Sequence, residues 1–397
     1  MFNNISVCAS IGADNLEAHI INNTGNPKQG LTLDIVDWTE SITLDITGRF
    51  ALNYDFESGK GHAAKFIKQS WKKQSSTNLH WTGQVAVRMF PFIAYLPIPS
   101  LEAQLAVKRI LQEISQIIVN QNVSEGREED MLTTMGVLCF PEAFFDALHL
   151  LVPRAFQVKL SSEGQIENHQ RRMRNLAFSL HQLAMYPGYQ TRLRDEIFQL
   201  GREPTYNDLM SGMPWLDAIM MESFRHRPVV PHLERVATED SVLRFGGPIQ
   251  GSDGKKITEV LIKAGQAIII PVMSINHMKS VWGDDADEFK PERWLDPARL
   301  ELVNRKFGWN GILTFSDGPR QCIGYRMAVL TFKYDTDLTL FPKTTLATYI
   351  RKFEFHDTGA VMHARYVGTM QSYVAGEEGK GTQMPLRVTL VDDSGTN

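Results

Sequence analysis

Cysteine is scarce in this chain: Cys8, Cys139 and Cys322 are the three present, spread across 397 residues. An odd, sparse set excludes a disulfide framework and reads as a reducing compartment. No CxxC pair and no Cys/His cluster with zinc spacing occurs either. Charge of one sign is also lacking. The 41 basic and 45 acidic residues leave a formal net charge of −4, which offers nucleic acid no electrostatic footing. Nowhere do about 18 apolar residues follow one another, so no spanning helix is expected and the chain reads as soluble. The start, Met1-Phe-Asn-Asn-Ile-Ser6, has neither the basic region nor the apolar core of a signal peptide. What is present is ordinary globular material. Hydrophobic residues at 43% against 22% charged suffice for a substantial core and exclude disorder.

The first half reads mainly as helices. Trp38, Ile42 and Ile46 stand four apart, the spacing of a buried helical face. Leu101 to Val119 repeats Leu and Ile at helical intervals. Asn175 to Leu183 predicts a helix that stops before Pro187, and Gln190 to Leu200 predicts another that ends at Gly201. The texture changes after Pro231. From Ser241 to Asn276, glycine-bearing turns separate β-rich runs such as Gln266-Ala-Ile-Ile-Ile270, which predicts a small sheet. Gly251-Ser-Asp-Gly-Lys-Lys256 lacks the spacing of a phosphate loop and is a hairpin turn. Val281 to Arg320 is rich in Pro, Gly, Asp and Trp without periodicity, and a long loop of that kind is usually functional. A helix over Gly324 to Lys333 and a closing strand at Met384 to Val391 complete the pattern. The fold class is mainly α with a small β region.

The most informative stretch is Phe315-Ser-Asp-Gly-Pro-Arg-Gln-Cys-Ile-Gly324. Its residue types fit the holding of a thiolate on iron, where sulfur pushes electron density onto the metal and favours O–O cleavage. Arg320 and the helix expected after Gly324 supply the positive charge and N–H donors that favour the ionised sulfur. Gly318 permits a tight turn, Gly324 lets the backbone approach a flat macrocycle, and Phe315 shields the sulfur. A lone cysteine in a loop is ordinarily an inert, buried side chain. Here the whole FxxGxRxCxG pattern is met, followed by Tyr325-Arg-Met-Ala328.

That stretch resembles the haem-binding loop of the cytochrome P450 family, and further signatures follow the family's order. Glu222-Ser-Phe-Arg225 resembles its ExxR pair, whose members share a helix face. Phe289-Lys-Pro-Glu-Arg-Trp294 resembles its F-x-P-E-R-[FW] loop, which adds Arg293 to a Glu–Arg–Arg cluster. Glu234-Arg-Val-Ala237 resembles the strand whose arginine, Arg235, contacts a haem propionate, and Leu44-Asp-Ile-Thr-Gly48 resembles fungal members. The resemblance implies the cytochrome P450 fold as one domain over 1–397, with the haem-binding half at about 210–397. It implies haem b with Cys322 as axial ligand, and Arg320 and Arg235 on the propionates. It further implies dioxygen, a small lipophilic substrate and electrons from NADPH through NADPH-cytochrome P450 reductase. The expected location is the cytosolic face of the endoplasmic reticulum membrane.

Three departures accompany the resemblance. The apolar anchor and first helices of microsomal members are not visible before Leu31, so the chain looks incomplete at its N-terminal end. Where the family carries an acid–alcohol pair that relays protons, this chain has Glu163-Gly-Gln-Ile-Glu-Asn-His169, and no such pair is identified. Tyr334 to Thr344 looks inserted into a helix that should continue through Phe355, with Pro342 ill suited to a helix interior. Three readings stay open: a haem-thiolate monooxygenase, a haem-binding relative without turnover, and a helical scaffold with a structural cysteine.

Overall fold

The computed structural model describes residues 2–26, 28–49, 54–76, 174–298, 301, 311–322, 340–367 and 369–391. The expected helices over 101–119 and 324–333, and the segment 163–173, lie outside them.

Helix α1 (Phe2–Thr24) carries Ile5, Ala9, Ala13, Leu16 and Ile20 on one buried face. That three-and-four spacing is an amphipathic signal legible in the sequence, yet no helix was expected there. Strand β1 (Leu31–Asp34) leads into α2 (Ile35–Thr47), where Ile42 and Ile46 are buried and Trp38 is partly so, as their spacing predicts. Asp34 caps α2 by accepting the Val36 amide at 3.1 Å, which satisfies one of the donors a helix start leaves open. The same oxygen accepts the Met384 amide at 2.9 Å and pins the helix start to the far end of the chain. Helix α3 (His62–Ser75) follows.

A helix at 174–185 (α4) ends before Pro187, as expected. Helix α5 (Pro187–Phe198) begins at the proline itself, three residues earlier than the periodicity suggests. Proline is well suited to a first helical position, because its missing N–H has no intrahelical partner there. Helix α6 (Pro214–His226) starts the same way. Its first amides, those of Trp215 and Leu216, donate to the Glu196 carboxylate at 2.8 and 2.9 Å. An acidic group at a helix N-terminus both caps it and offsets its dipole.

The β region is small, as expected, and antiparallel throughout the described residues. Strands β2 (Leu233–Val236) and β5 (Ala267–Ile270) pair with each other. Between them β3 (Ser241–Gln250) and β4 (Lys256–Ile262) form the hairpin, turning through Gly254 at φ +78°. Only glycine enters that region without strain. Short helix α7 (Val272–Asn276) occupies the end of the stretch expected to be sheet, and α8 (Lys279–Trp282) and a tight 3₁₀ turn at Pro291–Leu295 organise the first part of the stretch that reads as structureless in sequence.

Helix α9 (Leu340–Lys352) packs along α1 and places Pro342 in its first turn, where a proline is tolerated. It does not run on to Phe355. Strand β6 (Phe353–Asp357) starts at once, and two groups from α5 hold the switch. Arg194 donates to the Ile350 and Phe353 carbonyls, each at 3.0 Å. Gln190 exchanges two hydrogen bonds with Phe355, one to its carbonyl and one from its amide, so α5 acts as a neighbouring strand would. The hairpin β7 (Met362–Val367) and β8 (Thr369–Val374) precedes β9 (Pro385–Leu390), which lies between β1 and β6 in a three-stranded sheet.

Candidate functional site

Two neighbouring features make up the site: a buried ion cluster on α6 and the loop that carries Cys322. The cluster brings together three residues singled out in sequence. Glu222, Arg225 and Arg293 are 0%, 0% and 2% exposed. Isolated charges at such depth would cost many kcal/mol, so each must find partners. Arg225 meets the Glu222 carboxylate with two prongs, Nε to Oε2 at 2.8 Å and Nη2 to Oε1 at 2.7 Å. Arg293 adds Nε to Oε1 at 3.2 Å, the Lys290 amide adds a bond at 2.8 Å, and the Trp294 indole closes on Oε2 at 2.9 Å. Burial alone would raise the Glu222 pKa, but these donors outweigh it, led by Arg225, and hold the carboxyl below its usual range.

The remaining guanidinium donors are taken by backbone carbonyls. Arg225 reaches those of Asn276, Ala286 and Glu288 at 3.0, 2.7 and 2.9 Å. Arg293 reaches the carbonyls of Trp282, at 3.2 Å, and Asp285, and the Asp285 carboxylate at 2.7 Å. Trp282 lies beneath Arg225, with 5.1 Å from the guanidinium carbon to the ring centroid. The cluster therefore folds 276–294 around α6. Two acids, Glu222 and Asp285, are shared by the two arginines, and the Lys290 ammonium reaches Asp285 from the more exposed side at 2.9 Å.

Asn276 joins this cluster to the cysteine loop. Its Oδ1 accepts the Leu313 amide at 2.9 Å, and its Nδ2 donates to the Thr314 hydroxyl at 2.8 Å. Thr314 in turn donates to the Phe224 carbonyl on α6 at 2.7 Å. Phe315, buried, meets Phe224 edge to face with 5.2 Å between centroids. Neither Asn276 nor Asp285 stood out in the sequence. Their roles depend on which carbonyls and amides the chain brings near, and no residue spacing announces that.

Beyond Phe315 the loop turns twice through left-handed backbone, at Ser316 (φ +62°) and Gly318 (φ +66°). For a nearly buried serine this conformation is strained, and strain of that sort persists where surroundings fix the backbone. The Asp317 carboxylate accepts the Gly318 amide at 2.7 Å, and Gly318–Arg320 forms one 3₁₀ turn. The Cys322 amide then donates to the Phe315 carbonyl at 2.7 Å and closes the loop. Cys322 is half-buried at the edge of the hydrophobic core. Cys8 differs: burial pushes its thiol up to about 11, which keeps it protonated and inert.

Of the other expected residues, Arg235 lies half-buried on β2 and donates to the Glu234 carbonyl at 2.8 Å. No hydrogen bond or ion pair among the described residues joins it to the Cys322 loop. The Arg320 side chain and Gly324 lie outside the described residues.

Comparison with known proteins gives this arrangement its setting. The family model for cytochrome P450 matches residues 174–359, which include the ion cluster and the cysteine loop. Cytochrome P450 monooxygenase 128 of Postia placenta is 31% identical over 380 residues, 90% of this chain and 66% of that protein. Cytochrome P450 monooxygenase claU of Ampulloclitocybe clavipes is 27% identical over 381 residues, 92% of this chain and 68% of that protein.

The chain belongs to the cytochrome P450 family.

Its fold agrees. A crystal structure of a cytochrome P450 (CYP102L1) superposes with a TM-score of 0.67 at 18% identity, covering 98% of this chain and 74% of that one. Family membership makes the chain a monooxygenase, an oxidoreductase of the haem-thiolate kind. The residues present fit the group: a half-buried thiol on a loop closed by the bond from its own amide to the Phe315 carbonyl and tied to α6 through Thr314. Among the described residues no set of three His, Cys, Asp or Glu side chains is placed to hold a metal. A porphyrin iron asks the protein for less, since its in-plane donors arrive with it. Among the described residues, no helix is long and apolar enough to cross a membrane.

Proposed function

We propose that this cytochrome P450 inserts one oxygen atom from O2 into a small lipophilic substrate, with Cys322 as the axial ligand of haem b. The observation that carries this reading is the closed loop from Phe315 to Cys322, which presents one thiol and anchors it through Asn276 and Thr314 to a buried ion cluster. Cys322 would hold the haem through its thiolate, and the bound group would supply the activation of dioxygen, which an electron-donating sulfur favours. The protein's own part is positional. Phe315 keeps water from one side of the sulfur, and the Glu222–Arg225–Arg293 cluster keeps the loop from moving relative to α6. Arg320 and Arg235 pair with the propionates, and Gly318 and Gly324 let the backbone turn and approach the macrocycle.

Two electrons come from NADPH through NADPH-cytochrome P450 reductase, and the second oxygen atom leaves as water. A terpenoid or polyketide of fungal secondary metabolism is the substrate class we favour, on the strength of fungal relatives named as monooxygenases. The working location is the cytosolic face of the endoplasmic reticulum membrane, with all of 1–397 in one domain.

The test is a carbon monoxide difference spectrum of the reduced protein, with NADPH consumption measured when reductase is added. A thiolate-type Soret band with consumption supports the reading, and Cys322→Ala should abolish the band. Haem binding without consumption for any lipophilic candidate would make the chain a relative without turnover. Pure, folded protein without bound haem would sink the assignment altogether.

A further inference from the structure

A cleft of about 410 Å³ opens between α1, α2 and the turn at Glu57–Gly59, apart from the cysteine loop. That volume falls in the range of small-molecule sites. Its floor is apolar, from Leu33, Ile42 and Gly12, and Trp38 lines it beside His19, with 5.3 Å between their ring centroids.

Asp45 lines the same cleft while only 6% exposed. The Ser58 and Gly59 amides reach its carboxylate, yet Oδ1 has no hydrogen-bond partner. A buried acceptor left open costs about 1–3 kcal/mol, more when charged, unless something completes it. The other Asp and Lys side chains of the wall are already engaged. Asp34 caps α2, and Asp37 pairs with Lys72 at 3.8 Å. Lys60 donates to Asn15 at 2.9 Å and Lys68 to the Ser41 hydroxyl at 2.8 Å. Arg49, the cation that acts on Asp45, is itself paired with Asp55 at 2.9 Å.

We propose that this cleft binds a small organic ammonium ion of single charge, whose N–H completes Asp45 and whose apolar body rests against Trp38. An ammonium donor satisfies the open oxygen with a charge-assisted bond, and an indole face attracts the same cation. An anion would meet Asp45 unpaired. A polyamine would meet Lys60 and Lys68, which is why one charge fits and several do not. Burial, followed by the Asp55 charge, pushes the Asp45 carboxyl up to about 6, the condition of a group whose ionised form lacks a counter-charge.

The experiment uses the full chain and benzylammonium chloride as the probe, followed by calorimetry at neutral pH. Benzyl alcohol serves as the uncharged match and sodium chloride as the ionic-strength match. Saturable benzylammonium binding is expected, at least tenfold tighter than benzyl alcohol and at least tenfold weaker in Asp45→Asn. In protein carrying ¹⁵N-tryptophan, the Trp38 indole signal, assigned by its loss in Trp38→Phe, should shift with the probe, and this readout needs no change at Asp45. The proposal is overturned by equal binding of the alcohol, by undiminished binding in a folded Asp45→Asn protein, by an unmoved Trp38 signal, or by no saturation up to about 10 mM.

Discussion

Asn276 donates through Nδ2 to the Thr314 hydroxyl at 2.8 Å, and that contact helps link the packing around α6 to the loop bearing Cys322. Its own carbonyl accepts from Arg225 at 3.0 Å, so a single residue touches both halves of the site. Each partner is buried or half-buried, and water is poorly placed to substitute.

Asn276→Leu is expected to leave the Leu313 amide and the Thr314 hydroxyl without this partner. The loss should be about 1–3 kcal/mol in urea unfolding, since open polar groups carry their full desolvation cost. Haem content per chain should fall with it, because the loop is then fixed only through Phe224. Wild-type haem content together with an unchanged unfolding midpoint would show that the link has no structural weight.

Within the ion cluster, Glu222→Gln strands the buried Arg225, and Arg293→Leu takes a buried partner from both Glu222 and Asp285. Breaking a buried pair in this way costs about 3–5 kcal/mol. The double variant should cost less than the two single losses added together, because the Glu222–Arg293 contact is then lost once rather than counted twice. A double-mutant cycle by chemical denaturation checks this, and strict additivity would mean that the 3.2 Å contact between them carries no coupling.

Much of this cluster was legible before any coordinates. Glu222 and Arg225 stand three apart on one helix face, and the motif at 289–294 supplies Arg293. The stripe of Trp38, Ile42 and Ile46 likewise reads directly as the buried side of α2. What escaped the sequence has two physical causes. The carbonyls that hold Arg225 belong to Asn276, Ala286 and Glu288, and a carbonyl is present whatever the side chain, so only the chain's path selects it. The change from α9 to β6 at Phe353 is imposed by Gln190 and Arg194 from a distant helix, which overrides local helical preference. Helix α1 is a different case: its Ile5 to Ile20 spacing was there to be read.

His226 offers a titration test of the packing around α6. Burial first, then Arg227, pushes its pKa down to about 4, and its Nε2 lies 3.0 Å from the Asp287 carbonyl. The folded state therefore holds it neutral, while the unfolded chain takes up a proton below about 6.5. Its contribution is full above that pH and is lost progressively as pH falls toward 4, by about 3 kcal/mol in all. His226→Gln keeps a donor for Asp287 without the titration. The stability of wild type relative to this variant should decline from pH 6.5 to 4, and a flat difference would show the imidazole to be solvated.

Glu40 should behave in the opposite sense. It is 7% exposed on α2, and burial pushes its pKa up to about 8, with Arg174 lowering it and Asp37 raising it. The folded state thus binds a proton that the unfolded chain releases near pH 4.5. Stability associated with this proton is fully present below that value and is lost as pH rises to about 8, after which the loss levels off. Glu40→Gln has nearly the shape of the protonated acid and no proton to lose. Its urea midpoint should match wild type near pH 4 and exceed it by a growing margin up to pH 8. A margin independent of pH would mean that Arg174 already keeps Glu40 ionised in the folded protein, and the sign of the argument would reverse.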